Sequence, residues 1–203
     1  MSTARLPVAT ARRFDFTQHM RRVCEDMAAR LPELRHVDLS RVAVSFSQTR
    51  NKTLHGLYAS LTPLRFAGGT TQTVRRGRRW TIERLQGPTG REMLYILTFY
   101  LPRFFQLGFD EKLATILHEL WHISPDFNGD VRRYLGRCYA HSRSGSHERQ
   151  AKLLARKWLA DRPPEAQYDF LKLDFRQLEE RYGQIVGLRV LAPKLLPVVE
   201  RRA

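Results

Sequence analysis

The sequence predicts an α+β domain in which a small antiparallel or mixed sheet packs against one central helix, with further helices on its flanks. Two patterns carry that expectation. Between Arg41 and Leu101 apolar residues recur largely at every second position and are rich in β-branched and aromatic types, as strands with one buried face require. Before and after that stretch they recur at helical spacing. Successive strands with little helix between them favour an antiparallel or mixed sheet. The third observation is size: 203 residues, 42% of them apolar, suffice for one domain with a real core. The expected organisation is a single domain over 1–203, with a basic tail at 1–13 and an extended segment at 184–203.

The elements follow in order. Phe16, Met20, Val23, Cys24, Met27 and Leu31 form an apolar stripe on a helix over 15–31, with Arg21, Arg22, Glu25 and Asp26 opposite and Pro32 behind it. Val42, Val44 and Phe46 alternate with Ala43, Ser45 and Ser47 as a half-buried strand. Leu57 to Phe66 is a second strand, Thr73 to Leu85 a hairpin turning at Arg76-Gly77-Arg78, and Met93 to Tyr100 a further strand. Asp110 reads as the N-cap of a helix that buries Leu113, Ile116, Leu117 and Leu120 and stops at Ser124-Pro125. After a polar stretch, residues 147–160 read as a helix on Ala151, Leu154 and Trp158, and 166–182 as another, closed by Gly183. Residues 185–199 carry Pro193 and Pro197 and read as an edge strand or extended tail.

Composition excludes some classes and favours others. No apolar run approaches the ~20 residues of a membrane span, so no membrane partner is expected. The N-terminal segment lacks the ~7–15-residue apolar stretch of a secretory signal. Two cysteines, Cys24 and Cys138, are too few for a disulfide framework, and a reducing cytoplasm is the expected home. Lys and Arg number 35 against 20 acidic residues, a formal charge of +15. Such a surface attracts polyanions, nucleic acid among them. The densest basic patch is Arg75, Arg76, Arg78 and Arg79 with Trp80 beside it, either a phosphate-contacting and stacking surface or simply a charged hairpin tip. Lys152, Arg156 and Lys157 add a basic helix face.

The segment with the sharpest chemistry is His118-Glu119-Leu120-Trp121-His122. On a helix, His118 and His122 lie on one face a turn apart, so both imidazoles reach one metal ion at ~2.0–2.1 Å. They face away from the core stripe, with the small Ala114 leaving room above His118. Glu119 follows the first histidine, placed to take a proton from a metal-activated water and return it to a leaving amine. A catalytic zinc usually has three protein ligands and one open position. His141 is the preferred third ligand, with His147 and Glu148 as alternatives that spacing does not separate. His19, His36 and His55 read as ordinary surface or core histidines.

The run HELWHISPDFNGDVRRYLGRCYAH, residues 118–141, resembles the zincin-like metallopeptidases of prokaryotes and phages, which are similar in outline to SprT-like proteins. The likeness extends upstream through 42–50, Pro63-Leu64-Arg65-Phe66 and 97–104, about two thirds of the chain. It implies a zincin-like fold, one zinc ion and peptidase activity. The matching positions are His118, Glu119, His122, Asp126, Gly129, Asp130, Arg133 and His141.

Around this segment, Asp126 and Asp130 are candidates to orient the imidazoles, or members of an ordinary turn. Arg132 and Arg133 are candidates for a substrate carboxylate or an oxyanion, against a plain solvated face. Tyr134 and Tyr139 are possible donors to a tetrahedral intermediate, Trp121 a cleft wall, and Cys138 a soft ligand, each with packing as the simpler reading. Cys24, on a buried stripe, is expected to be inert. The function expected from the sequence is thus a zinc-dependent peptidase acting on a protein or peptide, with Glu119 as general base and His118, His122 and His141 as ligands. The alternative is a nucleic-acid-associated protein: a SprT-like protease acting on DNA-bound proteins, or a basic binding module with a structural metal.

Overall fold

The computed structural model describes residues 13–49, 56–133 and 146–198. In chain order these form β1 (Arg13–Asp15), α1 (Phe16–Arg30), β2 (Val42–Gln48), β3 (Ala59–Pro63), β4 (Gln72–Arg75), β5 (Arg78–Ile82), β6 (Tyr95–Leu101), α2 (Phe109–Trp121), α3 (Ser146–Ala160), α4 (Phe175–Tyr182), β7 (Gln184–Val186) and β8 (Leu195–Pro197), with short 3-10 turns between them. The architecture is α+β. No helix among the described residues is long and apolar enough to cross a membrane.

The sequence explains where α1 begins and ends. The Asp15 carboxylate accepts the Gln18 N–H at 2.9 Å, filling the cap position. Leu31, which precedes Pro32, is extended, so the helix stops there. The α1 stripe buries Phe16, Met20, Val23, Cys24 and Met27, and burial pushes the Cys24 thiol up to about 12, which leaves it protonated and unreactive.

The central sheet has the order β2-β6-β3 and is mixed. β2 runs parallel to β6, from Val42 opposite Tyr95 to Gln48 opposite Leu101, and β3 runs antiparallel to β6. One face, carrying Val42, Val44, Tyr95, Leu97 and Phe99, belongs to the main core with α1 and α2. On the other, Ala43, Leu64, Met93 and Ile96 form a smaller cluster, with Val190 packed on it. That face is crossed by the chain between β7 and β8: Phe46 N–H donates to Leu188 O at 3.0 Å, and Val190 N–H donates to Ser45 Oγ at 2.9 Å. β3 is an edge of the sheet. Tyr100 N–H donates to Tyr58 O and Leu64 N–H to Leu94 O, so the backbone groups of Ala59, Leu61 and Pro63 point away from β6. Pro63, with no N–H to offer, therefore costs the ladder nothing.

A second sheet, β4-β5-β8, joins the predicted hairpin to the C-terminal segment. The hairpin turns at Arg76 and Gly77, both at positive φ (49° and 73°), the two-residue turn whose twist suits a hairpin.

One expectation needs correction. Residues 166–182 are not one helix but two 3-10 turns followed by α4. The break has a cause. The Leu171 and Leu173 carbonyls, which a continuous helix would use internally, accept the ammonium of Lys112 at 3.0 and 2.6 Å. Asp174 then restarts the helix as a cap, accepting Gln177 N–H at 2.8 Å, while Gln177 returns a bond to Asp174 N–H. Residues 185–199, read as an edge strand or an extended tail, hold two short strands: β7 pairs in parallel with β1, and β8 is the edge strand beside β5.

Lys112 is buried, with its ammonium 5.1 Å from the centre of the Phe105 ring. Burial pushes its pKa from 10.5 down to about 8. Between those values the unfolded chain binds more protons than the folded one, so this group's contribution to stability rises with pH across that window and is lost as pH falls through 8. We predict that the stability of the wild type relative to Lys112→Met increases by on the order of 2 kcal/mol from about pH 7.5 to about pH 10. Urea melts of both proteins measure it; a pH-independent difference would show that the ammonium is not desolvated.

Candidate metal centre

α2 carries the candidate ligands. Its cap is Gly108, whose N–H donates to Glu111 Oε2 at 2.9 Å, so the helix begins two residues earlier than Asp110 would place its cap. Asp110 and Glu111 occupy the first turn, where carboxylates suit the helix dipole. Leu113, Ile116, Leu117 and Leu120 are fully buried, which fixes the rotation of the helix. That rotation leaves His118, Glu119 and His122 half-buried. The Nε2 atoms of His118 and His122 are 3.0 Å apart, with their rings edge to face. Two nitrogens on one tetrahedral zinc at ~2.0–2.1 Å would lie ~3.3 Å apart, so the pair fits a shared ion with a shift of a few tenths of an ångström.

The end of α2 is held by the chain that follows. His122 is the C-cap residue, and its carbonyl accepts Arg132 N–H at 2.7 Å. The Arg132 guanidinium donates to Trp121 O at 2.8 Å and lies 3.9 Å over the Trp121 ring. These bonds satisfy carbonyls that the helix itself leaves open, with a cation at the negative end of the dipole. Ser124 N–H donates to Asp130 O at 3.2 Å, closing the return loop. Tyr95, in β6, anchors it: its hydroxyl donates to Asp130 O at 2.9 Å and accepts Gly129 N–H at 3.0 Å. Gly129 is required twice over, by a φ of 86° and because a Cβ there would stand 2.3 Å from Arg65 Cγ.

Asp130 orients no imidazole among the described residues. Its carboxylate accepts Gly68 N–H and Val131 N–H, both at 2.8 Å, and takes both branches of the Arg133 fork, at 2.7 and 2.8 Å. Burial raises its pKa, but these donors outweigh burial and hold the carboxyl below its ordinary value. Asp126 is exposed in the turn.

Of the candidate third ligands, His141 lies outside the described residues, as do Tyr134, Cys138, Tyr139 and His55. His147 opens α3 with its ring 6.3 Å from that of His122 and nearly parallel to it. Glu148 is paired with Lys152 at 2.7 Å, which lowers its pKa; the charge of nearby His118 lowers it a little further. Among the described residues no group of three His, Cys, Asp or Glu side chains is arranged to hold one ion. Two upstream histidines serve elsewhere. His19 stacks on Phe14, and His36 packs near Ile123 and Arg132, where burial and then the Arg132 charge lower its pKa.

Glu119 faces a cleft of about 740 Å³ that His122, the β3 edge, Arg132 and the β4-β5-β8 sheet also line. Its carboxylate accepts the N–H of Leu61, one of the outward groups of β3. Burial pushes its pKa up to about 7, against the opposing effect of that bond. A carboxyl poised there exchanges protons readily near neutrality. Sequence reasoning missed Tyr95 and Leu61. A tyrosine inside an otherwise apolar strand was a usable signal, since a buried hydroxyl needs a partner. Leu61 contributes only its backbone, which no side-chain pattern reveals.

Removing the Tyr95 hydroxyl leaves two buried backbone groups without their bond. Tyr95→Phe is therefore expected to cost about 2–3 kcal/mol in urea melts, whereas Asp126→Ala, at an exposed turn, should cost under about 0.5 kcal/mol. Equal effects of the two substitutions would contradict this anchor.

Comparison with known proteins gave no match to a family model, to a curated protein or to a solved structure.

Proposed function

We propose that this chain is a zincin-like, zinc-dependent peptidase whose site is the α2 histidine pair with Glu119. One observation carries the reading: two imidazole nitrogens 3.0 Å apart, one of them on His122 in the wall of a cleft, with the half-buried carboxyl of Glu119 in the same wall and on the same helix. His118 and His122 would hold one ion, with His141 completing the set and His147 as the alternative. When bound, zinc supplies Lewis acidity to water and to a scissile carbonyl.

The chain's own groups supply the rest. The Glu119 carboxylate takes the proton of the attacking water and delivers it to the departing amine nitrogen, a transfer suited to a pKa near the working pH. With the Leu61 N–H taken by Glu119, the outward N–H and C=O of Ala59 and the C=O of Leu61 are left for an extended peptide to pair with, which would carry its backbone past Glu119. The bonds of Arg132 to Trp121 and of Arg133 to Asp130 hold the loop that supports His122.

The expected outcome is about one zinc per chain by elemental analysis, lost in His118→Ala and His122→Ala. Glu119→Gln should keep the zinc while cleavage of a casein substrate falls by roughly 10²–10⁴-fold. Comparing zinc content in His141→Ala and His147→Ala identifies the third ligand. A wild-type protein purified and reconstituted without retaining zinc would sink the proposal.

A further inference from the structure

The cleft beside Glu119 has a second wall, and its charge is one-sided. β4, β5 and β8 build that wall, and their register fixes which side chains face inward. Directly paired residues in an antiparallel ladder share a face. Thr73 pairs with Trp80, Arg75 with Arg78, Trp80 with Pro197 and Ile82 with Leu195. Thr73, Arg75, Ile82 and Leu195 line the cleft, so Arg78 belongs to the same face as Arg75, while Val74 and Arg79 belong to the other. The inner face thus runs from an apolar base at Ile82 and Leu195 to an arginine tip at Arg75 and Arg78.

Four arginines line the cleft, Arg65, Arg75, Arg132 and Arg133, against two carboxylates, Glu119 and Asp130. Arg65 is paired with Glu92, and Arg133 with Asp130. Arg75 is exposed, lines the same cleft as Glu119, and has no carboxylate partner among the described residues. The ladder instead sets it opposite a like charge, Arg78, an unfavourable pairing in a sheet. The turn between them places Arg76 at φ 49°, where asparagine or glycine would sit more easily. The hairpin therefore concentrates positive charge against both electrostatic and backbone preference, and an anion bound at its inner face would relieve the first of these.

We propose that the cleft selects extended peptides bearing acidic side chains next to the bond presented to Glu119, with Arg75 as the specificity-determining residue. The inference rests on reading this cleft as a peptide site. The edge of β3 is what favours a peptide over a nucleic acid: the outward N–H and C=O of Ala59 and C=O of Leu61, which Glu119 does not use, pair with another polypeptide backbone, and the apolar base accepts side chains rather than phosphates. A carboxylate facing Arg75 makes a charge-assisted contact that an amide of the same shape does not.

The test uses full-length, zinc-supplemented Glu119→Gln protein, so that binding is read without turnover. Two fluorescein-labelled decapeptides are compared by anisotropy, one with a central Asp-Glu pair and one with Asn-Gln in its place. The acidic peptide should bind roughly tenfold tighter, and that advantage should vanish when Arg75→Glu is added and shrink as salt rises from about 50 to about 300 mM. Arg75→Gln, with folding checked by circular dichroism, should give an intermediate loss. Equal binding of the two peptides, or an advantage that survives Arg75→Glu, overturns the proposal. So does displacement of the acidic peptide by a single-stranded oligonucleotide of equal charge at lower concentration than by unlabelled peptide, which would assign the arginines to nucleic acid. Acidic preference in binding with no cleavage by the wild type would refute the peptidase reading and uphold this one. Cleavage without acidic preference would do the reverse.

Discussion

The hydroxyl of Tyr95 ties together three parts of the molecule that sequence keeps apart. Its residue opens β6, the middle strand of the central sheet, and it donates to Asp130 O and accepts from Gly129 N–H. Burial pushes its pKa up to about 12, so it stays a donor at any physiological pH. Through Asp130 the same group fixes the return of the chain to the end of α2, where Arg132 N–H reaches His122 O. Through the Asp130 carboxylate it fixes Gly68, in the connection from β3 to β4. A helix terminus such as that of α2 would ordinarily fray. Here the loop that caps it is anchored on β6, so the end of α2 that carries His122 is held against the sheet.

Glu119 illustrates how burial and backbone geometry combine. A carboxylate alone in this half-buried cleft would bind its proton tightly, because desolvation disfavours the charge. The Leu61 N–H moderates that effect, and it is available only because β3 is an edge strand with that group turned outward. A fourth strand of the sheet itself, paired along the full edge of β3, would consume this N–H, whereas a peptide paired only at Ala59 and at the Leu61 carbonyl leaves it to Glu119. The unpaired edge, often an aggregation hazard, is here shielded by the cleft walls.

Much of this was legible in the sequence, and the parts that were not share a cause. α1, α2, α3, β2 and β6 each bury a face whose period is written in their own residues, and each lies where that period places it. The pairing of His118 with His122 was legible for the same reason, since a helix alone brings residues four apart together. The elements misread depend on partners far along the chain. Residues 166–182 have helical spacing, but Lys112 withdraws the carbonyls a helix would need. Asp130 sits near the histidines in sequence, yet its partners Gly68 and Arg133 become visible only after the loop has folded against the sheet. The cap of α2 moved from Asp110 to Gly108 because Glu111 closes the first turn, a bond that competes with any side-chain cap.

The wall opposite α2 depends on the most distant contact of all. A two-stranded hairpin such as β4-β5 is marginal alone in water. β8 adds the third strand, with Glu83 N–H donating to Lys194 O at 3.0 Å and Val198 N–H to Arg79 O at 3.0 Å beyond the ends of the pairing. The segment leading to β8 is pinned to the outer face of the central sheet by Ser45 Oγ and by Val190 packing on Ile96 and its neighbours. Gly187 allows this close approach, since a Cβ there would meet the Phe46 ring at 2.9 Å. The hairpin is thereby fastened to the same sheet whose edge forms the floor of the cleft. Its arginines and the Glu119 carboxyl are consequently held on two supports joined through the central sheet, and residues 187–198, which add only the apolar Ala192, Pro193 and Leu195 to the cleft, help set how those supports stand.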